Sequence, residues 1–321
     1  MKKIFLFAAA AMVSLSSCVQ TEEVYTGKME EMGFKSAVTR AIIQSNDDMT
    51  YPIAVTAVWD DDKAGTFSSY FENAKFVYDA GTELWKGEPA RYWPTSGDMQ
   101  FISFCPYPTK SDLATSYKTN GEIEKVVWGG TNAIDNNIKD QHDVLFSDLL
   151  SVEAPQTSAQ PLLFHHAYAQ LNVTFKKTDS AAEVIVNEVS VEGVNLTGIL
   201  TVTPAVGAKS TAEWQSGLTV SRYFLPESAT GVEDGTLDAV LDAATPFAPQ
   251  PVLVIPGAQT RIVIEYTIDG HAHTYTHDLS SNGDWEMGHK YTYNYTINVN
   301  EIIFDCTVED WIPVDGGSIT I

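Results

Sequence analysis

Apolar and polar side chains alternate with a period of two along most of this chain, and Gly, Pro, Asn and Asp interrupt the alternation at short intervals. In one long segment Tyr291, Tyr293 and Tyr295 share one parity, whereas Thr292 and Asn294 share the other. Successive side chains of a strand point to opposite faces of its sheet. The pattern therefore predicts half-buried strands rather than helices.

Other segments repeat this alternation. Ile53, Val55, Ala57 and Trp59 share one parity before an acidic turn at 60–62. An Asp269-Gly270 pair separates two alternating runs at 261–268 and 271–279, which predicts a hairpin. Evidence for helix is weak, because the best amphipathic segments, 68–71 and 141–150, are each a few turns at most. Many short strands with turn residues between them predict an all-β protein built of antiparallel sandwiches, not an α/β enzyme fold.

The size and charge of the chain limit its domain number and its partners. At 321 residues the chain is long enough for two domains. The proline-containing stretch 151–161 is the clearest linker, so we predict an N-terminal sandwich at 41–155 and a C-terminal sandwich at 156–321. The formal net charge of −23, without a cluster of Lys and Arg outside the extreme N-terminus, argues against nucleic acid as a partner.

The N-terminus has the features of an export signal. Two lysines precede a ten-residue apolar run at 4–13, which is too short to span a bilayer. The run ends in Leu-Ser-Ser-Cys, similar to the lipobox of bacterial lipoproteins, so residues 1–17 are predicted to be a lipoprotein signal and Cys18 the lipidated residue. The alternative is an ordinary signal with a chance cysteine. No later stretch approaches the length of an apolar membrane span, so the predicted membrane contact is through the lipid alone.

Cysteine usage and known motifs give little support for catalysis. Cys105 and Cys306 fall in different predicted domains and are expected to be buried free thiols, with a disulfide between them as the alternative. The phosphate-loop and EF-hand patterns both fail at required positions, and no catalytic serine, zinc-protease or Cys-His motif occurs. We therefore predict a protein that is not an enzyme and needs no cofactor.

Two sets of side chains offer alternatives to that interpretation. His271, His273 and His277 share one parity of a predicted strand, close enough to share a metal, although an exposed polar hairpin face explains them as well and no metal is predicted. Four tryptophans can be interpreted either as a sugar-stacking platform or as sandwich core; they are Trp85, Trp93, Trp128 and Trp214.

Several segments together resemble the fimbrillin-like (Mfa-like) lipoprotein pilins of Bacteroidales. The segments are 91–94 (RYWP), 98–108 (DMQFISFCPYP), 143–145 (DVL), 162–171 (LLFHHAYAQL), 254–256 (VIP) and 308–311 (VEDW). Ser103 and Cys105 depart from the family signature in the second of these. The resemblance covers nearly the whole mature chain and implies two tandem Greek-key, transthyretin-like β-sandwich domains.

The resemblance also implies a mode of assembly. In the family an arginine-specific surface protease removes an N-terminal strand, and a C-terminal strand of the next subunit fills the groove left behind. Here the resemblance implies cleavage between Arg40 and Ala41, with residues 18–40 forming a tether and the removable strand. A chance arginine in an N-terminal segment is the alternative.

The C-terminus offers two possible donor strands. Ile302, Phe304, Cys306 and Val308 share one parity, as insertion into an apolar groove requires. The alternative is that these four residues belong to the last strand of their own sheet, in which case residues 318–321 would be exchanged.

The sequence thus predicts a fimbrial subunit on the outer-membrane surface, exported as a lipoprotein, polymerised by protease-triggered strand exchange and supporting adhesion. Its expected partners are other fimbrial subunits, an arginine-specific protease, and host or bacterial surface ligands. The alternative is a surface glycan-binding lipoprotein that does not polymerise.

Overall fold

The structure is a computed structural model that describes residues 30–36, 51–108, 113–129, 143–178, 182–195, 197–216, 219–220, 223–225, 236–298 and 302–311. Within these residues the chain forms strands and turns, and the all-β class predicted from the alternation is confirmed. The segment 68–71 lies in a strand, as do residues 145–147 of the other weak helix candidate. No helix in the described ranges is long and apolar enough to cross a membrane.

The first eleven strands, numbered in chain order, carry most of the N-terminal half. They are β1 (Gly33–Ser36), β2 (Ile53–Asp60), β3 (Ser68–Asp79), β4 (Leu84–Gly87), β5 (Asp98–Cys105), β6 (Leu113–Tyr117), β7 (Ile123–Trp128), β8 (Leu145–Ser147), β9 (Leu150–Glu153), β10 (Gln160–Leu162) and β11 (Phe164–His166).

The remaining strands follow from residue 169 onward. They are β12 (Ala169–Lys177), β13 (Val184–Glu192), β14 (Val194–Asn195), β15 (Gly198–Thr203), β16 (Thr211–Ser216), β17 (Thr219–Val220), β18 (Tyr223–Phe224), β19 (Thr236–Val240), β20 (Val252–Val254), β21 (Arg261–Ile268), β22 (His271–Asp278), β23 (His289–Ile297) and β24 (Ile302–Asp310).

A nine-stranded sheet organises the N-terminal half. Its order is β10-β1-β4-β3-β2-β5-β8-β11, and β9 pairs with β5 off this path. The sheet includes β10 and β11, so it continues to His166, beyond the predicted boundary at residue 155. A further sheet, β16-β15-β7-β6, joins strands from both halves of the chain. The division at residue 155 stays a prediction.

The C-terminal half contains two sheets that face each other. One has the order β20-β12-β23-β24, and the other has β18-β13-β21-β22 with β19 paired to β13. Their side chains meet where Nδ1 of His277 on β22 hydrogen-bonds the hydroxyl of Tyr295 on β23 at 2.8 Å. The predicted hairpin is confirmed, because β21 and β22 pair throughout around Asp269 and Gly270, which both have positive φ.

Two apolar cores fill the molecule, and the central strands of the large sheet contribute to both. Ile53, Val55 and Ala57 of β2 pack in the N-terminal core, whereas Ala54 and Val58 pack in the core that they share with the C-terminal strands. The prediction that this segment is half-buried was wrong. Both of its faces are buried, since Ala54, Thr56 and Val58 are covered as well, and the polar Thr56 at the centre of that face made the segment look half-exposed in the alternation pattern.

Candidate functional site

The first described strand is inserted between two others rather than added at an edge. β1 pairs antiparallel with β4, where Phe34 lies opposite Trp85, and parallel with β10, where Phe34 lies opposite Gln160. A four-residue strand held on both sides uses its backbone donors and acceptors within the sheet. Its removal would leave an unpaired edge on β4 and another on β10. We call the space between these two strands the β1 groove.

Two side chains anchor this segment in the N-terminal core. Met32 and Phe34 are both 0% exposed. The ring of Phe34 packs edge-on against Phe76 at 5.2 Å and against Phe101 at 5.3 Å. Complete burial of two such side chains stabilises the fold by about 3–6 kcal/mol before ordering costs. The β1 groove is therefore shaped for two apolar side chains that are two residues apart.

The residues just before β1 pair with the RYWP segment noted in the sequence. The backbone N–H of Met32 donates to the carbonyl of Arg91 at 2.7 Å, and that of Trp93 donates to the carbonyl of Glu30 at 2.9 Å. Trp93 is buried, with its ring 5.5 Å from that of Phe101. In the sequence, this motif served only as one of the segments that resemble the family. Its pairing with the N-terminal segment is seen only in the structure.

The predicted processing residues lie outside the described part of the chain. Cys18, Arg40 and Ala41 have no described position. In the sequence, Arg40 follows Ser36, the last residue of β1, by four residues. Lipidation and cleavage at these residues stay predictions.

The predicted donor residues lie on β24, at the edge of their own sheet. β24 pairs antiparallel with β23 over its whole length, and its inward face places Phe304 beside Tyr295, Cys306 beside Tyr293 and Val308 beside Tyr291. These side chains are only partly covered, because Phe304 is 44% exposed and Val308 is 53% exposed. The structure does not bring β24 to the β1 groove of the same chain. The alternative donor, residues 318–321, lies outside the described ranges.

The prediction of free thiols is confirmed for both cysteines, whereas the prediction that both are buried holds for Cys105 and was wrong for Cys306. Cys105 and Cys306 are both unpaired by any disulfide. Cys105 is buried in the N-terminal core, where burial raises the pKa of its thiol. Cys306 is half-buried on the edge strand β24, and burial raises the pKa of its thiol as well.

The three histidines of β22 have separate surroundings. His277 is buried against Tyr293, Tyr295 and Phe304, and its ring lies 4.0 Å from that of Phe304. His273 stacks on Tyr266 at 5.3 Å. Among the described residues, the group close enough to share a cation is instead Asp60, Asp61 and Asp62. Asp60 there accepts hydrogen bonds from the backbone N–H groups of residues 64 and 65, as in an acidic turn.

The tryptophans considered as a sugar platform serve mainly as core. Trp85, Trp93 and Trp128 are each at most 6% exposed. Trp214 is partly buried, stacks on Tyr168 at 5.3 Å and donates its indole N–H to the carbonyl of Ala167. A ligand cannot stack on the three buried rings without displacing the core.

A polar contact that sequence reasoning missed joins three of the motif segments. His166 hydrogen-bonds Asp143 through Nδ1, and both side chains are almost completely buried. The ring of His166 lies flat on that of Trp311, at 3.8 Å and an interplanar angle of 4°. Burial raises the pKa of the Asp143 carboxyl. The adjacent His165 has a different partner, because its Nε2 lies 3.0 Å from a carboxylate oxygen of Asp148.

Comparison with known proteins gives both a family and a fold. A family model described as fimbrillin-like matches residues 39–311. The crystal structure of a candidate cell adhesion protein from Bacteroides ovatus gives a TM-score of 0.54 at 17% identity, over 89% of this chain and 98% of that chain. No curated protein matches the sequence.

Two further crystal structures have a similar fold. A candidate cell adhesion protein from Bacteroides uniformis gives a TM-score of 0.53 at 16% identity, over 88% of this chain and 99% of that chain. A fimbrial protein from Bacteroides vulgatus gives a TM-score of 0.50 at 15% identity, over 88% of this chain and 99% of that chain. At sequence identities this low, the similarity is evidence for a shared fold alone.

Proposed function

The chain belongs to the fimbrillin-like family, and on that premise we propose that it is a fimbrial subunit that polymerises at the cell surface by strand exchange. In this proposal the chain is exported as an outer-membrane lipoprotein through Cys18 and is then cut between Arg40 and Ala41. The cut releases β1 together with the lipid. The fibre that results supports adhesion.

The observation that carries the proposal is the double pairing of β1. Because β1 has a neighbour on each side, its loss leaves two open strand edges and two vacant side-chain sites in one groove. Open edges of this kind are strong templates for an incoming strand. A strand from a second copy that offers two apolar side chains, two residues apart, would restore both the pairing and the core.

The source of the incoming strand is proposed to be the C-terminus. If residues 302–308 were the donor, β24 would have to leave nine backbone pairings with β23. Residues 318–321 carry Ile319 and Ile321, which have the same spacing as Met32 and Phe34, and their donation leaves β24 in place. We therefore favour residues 318–321 and keep Ile302, Phe304, Cys306 and Val308 as the alternative donor set.

The glycan-binding alternative is less well supported in its original form. It depended on exposed aromatic rings, and Trp85, Trp93 and Trp128 are buried. Subunit partners are therefore proposed first, and surface ligands second.

The test is assembly of the purified protein after cleavage by an arginine-specific protease. We expect a cut at Arg40 to yield an SDS-resistant ladder, and an Arg40→Gln variant to stay uncut and monomeric under the same treatment. A peptide of residues 30–36 added in excess should block assembly by refilling the groove. The matched peptide with Met32→Asn and Phe34→Asn should not block it.

Two further variants separate the donors. A chain that ends at Trp311 should be cut but remain monomeric if residues 318–321 are the donor. A Phe304→Asn, Val308→Asn variant should stop assembly if β24 is the donor. Cut protein that remains monomeric at high concentration with an intact C-terminus would contradict the proposal.

A further inference from the structure

A cavity of about 670 Å³ opens on the side of the molecule where β8 and β11 meet the C-terminal half. Its walls come from the end of β24, the residues before β23, and the segment 209–212 at the start of β16. The volume falls in the range of small-molecule sites, and such sites often lie where two structural units meet. The cavity is separate from the β1 groove, since it shares no lining residue with β1.

One wall is apolar and includes an aromatic ring. Phe146, Leu163 and Met287 line it together with Trp311. Trp311 is half-buried and is held in place by its stacking on His166 and by its backbone N–H, which donates to the carbonyl of Gly288 at 2.6 Å. The wall can therefore receive the flat or apolar part of a ligand without rearranging.

Two polar atoms at this cavity are buried without a partner. Nε2 of His166 and Oγ of Ser210 form no hydrogen bond in the described part of the chain. Both residues line the cavity, and each is at most 2% exposed. An unpaired buried polar atom costs free energy, so native proteins seldom leave one without water or a ligand.

The buried Asp143 determines what Nε2 of His166 can do. The carboxyl of Asp143 hydrogen-bonds Nδ1 of His166, so Nε2 is the ring nitrogen that is left without a partner. When a proton lies on Nε2, this atom is a hydrogen-bond donor, and the hydroxyl of Ser210 can supply a second donor.

The charges around the cavity leave one cation available. Asp310 is engaged by Nε2 of His289 at 3.1 Å. Asp148 accepts from the backbone N–H of Ser210 at 2.7 Å and bonds His165. Lys209 is exposed, lines the same cavity, and has no carboxylate partner among the residues the structure describes. The ammonium of Lys209 therefore favours an anionic group of a ligand at this place, against the acidity of the chain as a whole.

We propose that this cavity binds a small carboxylate ligand, whose oxygens accept hydrogen bonds from Nε2 of His166 and Oγ of Ser210 and face the ammonium of Lys209. The apolar or ring portion of the ligand lies against Trp311. Either a sugar acid or an aromatic acid has this chemistry.

The test is calorimetric titration of the purified full-length protein with D-glucuronate and with 3-phenylpropionate. The neutral counterparts, D-glucose and 3-phenylpropan-1-ol, are titrated in parallel. We expect at least one acid to bind about tenfold or more tightly than its neutral counterpart, because hydrogen bonds to a charged group are stronger than neutral ones. Binding of glucuronate alone identifies a sugar acid, and binding of phenylpropionate alone identifies an aromatic acid.

Substitutions locate the binding. Lys209→Met and Ser210→Ala should each weaken the binding of the acid by about tenfold. Lys125→Met is the matched control, because Lys125 is an exposed lysine that does not line the cavity. The proposal is overturned if neither acid binds better than its neutral counterpart. It is also overturned if an acid binds Lys209→Met and Ser210→Ala as tightly as it binds the unsubstituted protein.

Discussion

Phe34 illustrates how much of the N-terminal core depends on one residue of a very short strand. The ring is 0% exposed and packs against Phe76 and Phe101 from within β1. Besides this contact, only a few backbone pairings with β4 and β10 hold β1 in place. The side chain, more than the length of the strand, therefore keeps β1 in its groove.

We predict that Phe34→Ala lowers the free energy of unfolding by about 3–5 kcal/mol, because it removes a buried aromatic side chain and leaves a cavity. Urea denaturation of the uncut protein measures the change. Lys35→Ala is the control, since the neighbouring side chain is exposed, and it should alter stability little. Equal effects of the two substitutions would show that β1 is not anchored by its inward face.

His277 gives the fold a dependence on pH. Burial lowers the pKa of this imidazole, so the folded protein takes up the proton at a lower pH than the unfolded chain does. The unfolded chain therefore binds more protons as the pH falls below about 6.5, and stability that is present above that pH is lost in this window.

We predict that His277→Asn loses less stability between pH 7.5 and pH 5.0 than the unsubstituted protein does. Asparagine can still hydrogen-bond the Tyr295 hydroxyl, but it does not titrate. Urea midpoints at the two pH values give the comparison, and His271→Asn, an exposed change on the same strand, is the control. An unchanged pH dependence in His277→Asn would contradict the assignment.

At the scale of elements, β24 combines complete backbone pairing with poor side-chain cover. It pairs with β23 on one side only, and its inward residues Phe304 and Val308 remain about half exposed. Its C-terminal end is fixed by Trp311, which stacks on His166. The stacking of Trp311 thus adds an anchor at the end of the strand to the backbone pairing along its length.

We predict that Trp311→Ala increases amide hydrogen exchange in β24, because it removes the contact that fixes the end of the strand. Exchange in β21, which lies in the opposite sheet, should change little. Hydrogen exchange with mass spectrometry resolves the two strands. If amide exchange became faster to the same extent in both sheets, the substitution would instead have disrupted the whole C-terminal core.

At the scale of the whole molecule, the acidity of the chain opposes association between copies. Cleavage after Arg40 would remove five basic and four acidic residues from a chain with 19 basic and 42 acidic ones, so the net charge of −23 becomes −24. The proposed cleavage would therefore leave this repulsion almost unchanged. Repulsion of this kind discourages unguided pairing of strand edges, and in the proposed assembly the open β1 groove overcomes it.

We predict that cut protein assembles faster in 0.5 M NaCl than in 0.02 M NaCl, because salt screens the repulsion between acidic copies. Light scattering after protease addition follows the rate, with cleavage itself monitored on gels as the control. A rate that falls as salt rises would mean that attraction between opposite charges, rather than the open groove, drives encounter.

Part of this fold could be predicted from local sequence patterns. Alternation identified β23 through its tyrosines, and the Asp269-Gly270 pair located the turn between β21 and β22. Both features depend on neighbours along the chain. The same reasoning misjudged β2, since whether a strand is covered on one face or two depends on what packs above it.

The sequence by itself determined the all-β class, the free cysteines and the family to which the chain belongs. The tertiary structure alone decided that β1 lies between β4 and β10, that β24 pairs with β23, and that Asp143 bonds His166, whose ring stacks on Trp311 at the cavity. The physical reason is that alternation and turn chemistry act between near neighbours, whereas the pairing of β1 and the contact of Asp143 with His166 join residues more than twenty positions apart. Only the packed molecule selects among those distant pairings.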